Sequence, residues 1–130
     1  MRVITYGTFD IFHEGHINLL QRAKAMGSHL IVGVSDDKFN ESKGKKSLFS
    51  FNSRVNIVKS CRYVDQVIPE ISWDQKIEDI RKYNIDIFVM GDDWTGHFDF
   101  ITSYCDVRYI SRTHGISSSA YKQKMLENKT

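Results

Sequence analysis

Five short apolar runs rich in valine and isoleucine, at residues 3–6, 30–34, 64–68, 85–90 and 107–110, alternate with longer polar stretches. This alternation limits the fold more than any other feature. Runs of four to six such residues read as strands buried on both faces. The segments between them carry helical spacing: Ile17, Leu20, Ala23 and Met26 share one face, as do Val55 and Val58, and then Trp73, Ile77 and Ile80. Strands alternating with helices of about ten residues call for parallel pairing through right-handed crossovers. The expected fold is a three-layer α/β domain with a five-stranded parallel sheet. A chain of 130 residues holds one hydrophobic core, so residues 1–130 are read as a single domain.

Composition excludes several classes of function. A net charge of +2 is too small for a protein that grips nucleic acid through a dense basic face. Nowhere do eighteen apolar residues follow one another, and the N-terminus runs directly into Arg2-Val3-Ile4 without an apolar leader, so a cytoplasmic, soluble protein without stable membrane binding is expected. Cys61 and Cys105 lack metal-binding or redox spacing and read as plain thiols.

Open parallel sheets bind ligands beyond the carboxyl ends of their strands, where the strand order reverses. The polar clusters to inspect are therefore those that follow strands: residues 7–16, 43–46, 91–94 and 112–119. In the first, Gly7 lets the chain turn sharply, and a helix starting near His13 presents free N–H groups and its positive dipole end to the crevice. His13 and His16 lie on one side of that first turn, with Gly15 between them where a phosphate can approach the backbone. Phosphoryl and nucleotidyl transfers mainly need donors placed on oxygens that gain charge, and imidazole N–H groups supply them. The same residues would also suit a helix cap or, with further ligands nearby, a metal pair. Ser117, Ser118 and Ser119 can cap a last helix while holding phosphate oxygens, and Arg112 adds a permanent, fork-shaped charge. Lys43, Lys45 and Lys46 form either a solvated loop or a set of ammonium groups that close over phosphates.

A strand followed by Gly7-Thr8-Phe9-Asp10 and then His13-Glu14-Gly15-His16 resembles the nucleotidyltransferase superfamily built on the HxGH motif. The second cluster, Arg112-Thr113-His114-Gly115-Ile116-Ser117-Ser118, resembles the later signature of its cytidylyltransferase family. His114 stands where that signature usually has glutamate, and Ser118 where it has threonine. The likeness extends through Arg62-Tyr63-Val64-Asp65, Val67-Ile68-Pro69-Glu70, Trp73 with Gln75-Lys76, and Val89-Met90-Gly91-Asp92-Asp93-Trp94, segments typical of the family's glycerol-3-phosphate branch.

The resemblance implies a Rossmann-like fold and direct attack of an acceptor phosphate on the α-phosphate of CTP, with pyrophosphate leaving. It implies His13, His16, Lys45 and Arg112 as catalytic residues. Thr8, Phe9, Glu14, Gly15, Asp93, Thr113, His114, Gly115, Ile116, Ser117, Ser118 and Ser119 would complete the nucleotide site, and Lys43, Arg62 and Lys76 would hold the acceptor. Mg²⁺ is expected through the CTP phosphates and waters rather than in a protein cage, with Asp10 a candidate to assist. Trp73 and Trp94 are read as packing groups rather than ligand platforms. The implied partners are CTP, a phosphorylated small alcohol and a second copy in a homodimer, and the implied product, CDP-glycerol, feeds surface polymers such as teichoic acids or capsules. Another phosphoalcohol, such as ribitol, ethanolamine or choline phosphate, ATP in place of CTP, or a binding module without turnover are the rival readings.

Overall fold

In the computed structural model, which describes residues 1–111 and 118–127, five strands form one parallel sheet. They are β1 (Arg2–Gly7), β2 (His29–Ser35), β3 (Gln66–Glu70), β4 (Ile87–Gly91) and β5 (Asp106–Ile110), in the order β3-β2-β1-β4-β5. The order reverses between β1 and β4, so the crevice belongs at the carboxyl ends of these two strands.

Alternation along each strand sends successive side chains to opposite layers. Val3, Val32 and Val89 join Leu20 and Ala23 of α1 (Glu14–Ala25) and Val58 of α3 (Phe51–Lys59) in one core. Ile4, Ile31 and Phe88 join Ile80 of α4 (Gln75–Lys82), Phe98 and Ile101 in the other. The expected three-layer, Rossmann-like α/β architecture is the one observed.

Local departures matter for the site. The third strand begins two residues later than its apolar run, because residues 61–65 turn and the Asp65 carboxylate accepts the Leu30 N–H at 2.7 Å. The strand therefore ends in Pro69 and Glu70, which pair with Val34 and Ser35. Pro69, having no N–H, is tolerated because β3 is an edge strand. After β2 the chain inserts a short helix, α2 (Asp37–Ser42), capped by Asp36, which accepts the Phe39 N–H at 2.7 Å. Gly44, at φ 74°, then turns the chain from Lys43 to Lys45. Between β4 and β5 two 3₁₀ turns, Asp92–Trp94 and Asp99–Ser103, replace the helix expected there. Trp73 precedes α4 and is 46% exposed, and Ile17 is 39% exposed, so neither sits on the buried face its spacing suggests. The last helix, α5, spans Ser118–Glu127.

Candidate active site

The β1–α1 connection turns abruptly: Phe9 and Ile11 take positive φ of 54° and 48°. Such conformations are costly for non-glycine residues and persist where the surroundings enforce them. Phe9 is nevertheless buried, its ring packed so closely on Gly7 that a Cβ there would meet it at 2.9 Å. The turn delivers His13 as the N-cap of α1. Its Nδ1 accepts the Gly15 N–H at 3.1 Å, while His16 Nδ1 accepts the His13 N–H, also at 3.1 Å. This is a capping box in which both partners are histidine.

The reciprocal cap decides the chemistry of both rings. A ring nitrogen that accepts a backbone N–H carries no proton, so each neutral ring is protonated on Nε2. The rings stack with centroids 3.9 Å apart, and both line the crevice. Burial, reinforced by His13, lowers the His16 pKa to about 3, so its ring stays neutral and a donor at physiological pH. Phe12 stacks on its far side, and Tyr121 of α5 lies 5.3 Å from the His13 ring. Two Nε2–H donors beside a helix N-terminus form an anion site that needs no net charge of its own.

A second wall is tied together by charge. Asp10 is buried, and its carboxylate accepts the Leu48 and Phe49 N–H groups at 2.7 and 3.0 Å and pairs with Lys122 at 2.7 Å. Burial opposes its ionisation, but Lys122 and the two amides outweigh that effect and hold its pKa below the usual range. Ser118 Oγ donates to the Asp10 carbonyl, docking α5 on the same loop. Arg54, fully buried, donates to the carbonyls of Thr8, Ser35 and Phe49 at 2.8, 2.6 and 3.0 Å and to Asp37 at 2.7 Å. It thus joins the ends of β1 and β2 to the loop that carries Lys45 and Lys46.

The third wall stands at the ends of β2 and β3. The buried Glu70 carboxylate accepts the Ser35 hydroxyl at 2.5 Å and the Lys76 ammonium at 2.6 Å, with Lys43 at 4.0 Å. Trp73, Trp94 and Phe98 close this side, with the two indoles 5.8 Å apart. The three walls enclose about 440 Å³, the size of a small-molecule site. Lys43, Lys45, Lys46 and Lys122 line it against Asp10, Glu70 and Asp93, so it favours an anion.

Comparison with known proteins agrees with this chemistry. The model of a family described as cytidylyltransferase-like matches residues 4–124. The chain belongs to the cytidylyltransferase family. It is 55% identical over 124 residues to the glycerol-3-phosphate cytidylyltransferase of Bacillus spizizenii and 52% identical to that of Staphylococcus aureus, covering 95% of this chain and 96% and 94% of theirs. A solved lipopolysaccharide core biosynthesis protein from Thermoplasma volcanium superposes with a TM-score of 0.78 at 28% identity, covering 87% of this chain and 98% of that one.

Of the residues expected from the cytidylyltransferase motifs, Thr8, Phe9, His13, Gly15, His16, Lys43, Lys45, Asp93 and Ser118 meet around the crevice. Three do not. Glu14 is exposed on the first turn of α1 and does not line the crevice. Arg62 is exposed before β3, at the opposite end of the sheet, where its guanidinium donates to the Tyr63 hydroxyl at 2.8 Å. Lys76 reaches no crevice surface: at 1% exposure it is committed to Glu70. Arg112, Thr113, His114, Gly115, Ile116 and Ser117 lie outside the described residues, and of Ser119 only the helical backbone is described. Trp73 and Trp94, read as packing groups, pack on Phe39 and Phe98 and also line the crevice. Motif reading missed Arg54, Glu70 as a site residue, and Lys122. Lys122 carries a sequence signal, since it follows the last signature by one helical turn. Among the described residues, no three His, Cys, Asp or Glu side chains converge as metal ligands, and no helix is long and apolar enough to cross a membrane.

Proposed function

We propose that this cytidylyltransferase joins the CMP part of CTP to sn-glycerol 3-phosphate, giving CDP-glycerol and pyrophosphate. The observation that carries the reading is the reciprocal histidine cap. It fixes two Nε2–H donors and a helix N-terminus on one side of an anionic-ligand crevice, in a chain more than half identical to glycerol-3-phosphate cytidylyltransferases. The triphosphate lies on the α1 N-terminus. An acceptor phosphate oxygen forms a bond to the α-phosphorus as the bond from that phosphorus to the bridging oxygen breaks, and the electron pair leaves with pyrophosphate. No covalent enzyme intermediate is involved.

His13 and His16 donate to the phosphate oxygens that gain charge, an effect worth roughly 100-fold to 1,000-fold per donor. Lys45 and Arg112 hold the CTP phosphates, and Lys43 holds the acceptor phosphate. The carboxylate of Asp10 is taken by two amides and Lys122, so a divalent ion such as Mg²⁺ would be held through the triphosphate rather than by a protein cage. When bound, it neutralises phosphate charge.

The protein works in the cytoplasm and as a homodimer, the dimer being supported by exposed apolar side chains such as Ile17, Leu48, Phe49 and Tyr121. Its product serves as an activated precursor of a glycerol-containing surface polymer. Pyrophosphate release with CTP and Mg²⁺, run with glycerol, ribitol, ethanolamine and choline phosphates side by side, tests the assignment. Release with glycerol 3-phosphate alone supports it. Preference for another phosphoalcohol moves the acceptor, and CTP binding without release with any of them leaves a binding module.

A further inference from the structure

One face of α5 grips the loop that leads to His13. Ser118, Tyr121 and Lys122 are spaced by three and four residues along the helix and so share that face. Ser118 Oγ donates to the Asp10 carbonyl, the Tyr121 ring lies 5.3 Å from that of His13, and Lys122 Nζ donates to Asp10 Oδ2 at 2.7 Å. The same ammonium lies 3.4 Å from the Lys46 carbonyl oxygen, while the Asp10 carboxylate accepts the Leu48 and Phe49 N–H groups. A single ion pair therefore holds the backbone of residues 46–49 from both sides. By contrast, Lys45 and Lys46 line the crevice and make no ion pair of their own among the described residues.

The two partners differ in burial: the Asp10 side chain is 2% exposed and that of Lys122 is 36%. A buried carboxylate in the wall of an anion site repels a triphosphate unless a cation cancels it. Burial opposes the ionisation of Asp10, and Lys122 stands first among the groups that favour it. We propose that Lys122 is a positioning residue for the nucleotide: it cancels the Asp10 charge and steadies the loop that carries Lys45 and Lys46, acting through Asp10 rather than as a ligand of the phosphates. This rests on the reading that CTP lies at the α1 N-terminus. A lysine that gripped a phosphate directly would contribute whether or not Asp10 is charged. One that acts through Asp10 contributes only while that charge is there.

Steady-state kinetics around the double-mutant cycle of Lys122→Met and Asp10→Asn test this, with thermal melts on the same preparations to show that each variant is folded. In the parent background Lys122→Met is expected to raise the CTP KM about tenfold, the scale of one uncompensated charge acting across a crevice, while the acceptor KM stays near its parental value. In the Asp10→Asn background the same substitution is expected to raise the CTP KM by less than about threefold. Lys122→Gln, which keeps a polar end without the charge, carries the test if Lys122→Met does not fold, and the same two factors are expected of it. An unchanged CTP KM in the parent background, an equal loss in both backgrounds as for a phosphate ligand, or an equal rise in the acceptor KM as for general loosening of α5, would each overturn this role. A parent enzyme that releases no pyrophosphate from CTP with any phosphoalcohol would instead overturn the underlying reading, and this role with it.

Discussion

Replacing His16 by glutamine separates two tasks that one ring performs. His16 Nδ1 accepts the His13 N–H at 3.1 Å and completes the cap of α1, while Nε2–H is the donor offered to phosphate. Glutamine at this third helical position is itself a capping-box residue, so it can keep the cap while withdrawing the imidazole donor. Alanine loses both. A lost cap costs about 1 kcal/mol, which moves the Tm of a domain of this size by about 4 °C. A lost transition-state donor costs about 3–4 kcal/mol, or roughly 100-fold to 1,000-fold in kcat. His16→Gln is therefore expected to keep the parent Tm within a degree or two and to lose kcat by that factor, whereas His16→Ala loses both. Acid sensitivity gives a third readout. The pKa of His16 is about 3 in the fold, against about 6.5 when unfolded. Its neutral form therefore contributes stability above pH 6.5 that is lost as pH falls toward 3, and His16→Gln should lose less stability than the parent over that interval. Calorimetry and pyrophosphate release on the same preparations measure all three. A glutamine variant with parental kcat, or an alanine variant whose lost activity merely tracks lost folded protein, would refute the donor role.

Arg54→Met leaves the carbonyls of Thr8, Ser35 and Phe49 without their buried donor and is expected to destabilise the fold by about 3–5 kcal/mol in urea titrations. Asp10→Asn weakens the anchor of Leu48, Phe49 and Lys122 and is expected to cost about 1–3 kcal/mol at neutral pH. The folded pKa of Asp10 is depressed, so its contribution is present above about pH 4 and lost below it. The stability gap between parent and variant should close as pH drops through that range, as followed by thermal melts. Lys43→Met should raise the acceptor KM by about 10-fold to 100-fold with little change for CTP. In the parent, the acceptor KM should rise as pH passes about 8, because the ammonium is present below that pH and lost above it.

The five strands and their layering were legible because period-two and period-3.6 patterns report burial, and burial is what a sheet covered on both faces demands. The histidine pair was legible as a pair on one side of a helix turn. Its tautomers were not, since they depend on which nitrogens the backbone amides reach. Arg54 escaped notice because three of its four partners are backbone carbonyls, up to 46 residues away, and carbonyls leave no mark in a sequence. Glu70 lies two residues beyond the apolar run at 64–68, and only the start of β3 at Gln66 brings it beside Ser35. Lys76 and Arg62 could each be read as a surface cation or a ligand. Lys76 is buried against Glu70 rather than at the surface, and Arg62 is exposed at the far end of the sheet, positions that a charge in the sequence does not report.

The central claim is transfer of CMP to a glycerol phosphate, and phosphorus NMR of a mixture of the protein, CTP, Mg²⁺ and sn-glycerol 3-phosphate tests it most directly. Equimolar appearance of the CDP-glycerol diphosphate and pyrophosphate signals, abolished by His13→Ala, is the predicted result. An unchanged CTP spectrum, or CMP formed by hydrolysis without a glycerol-bearing diphosphate, would contradict it.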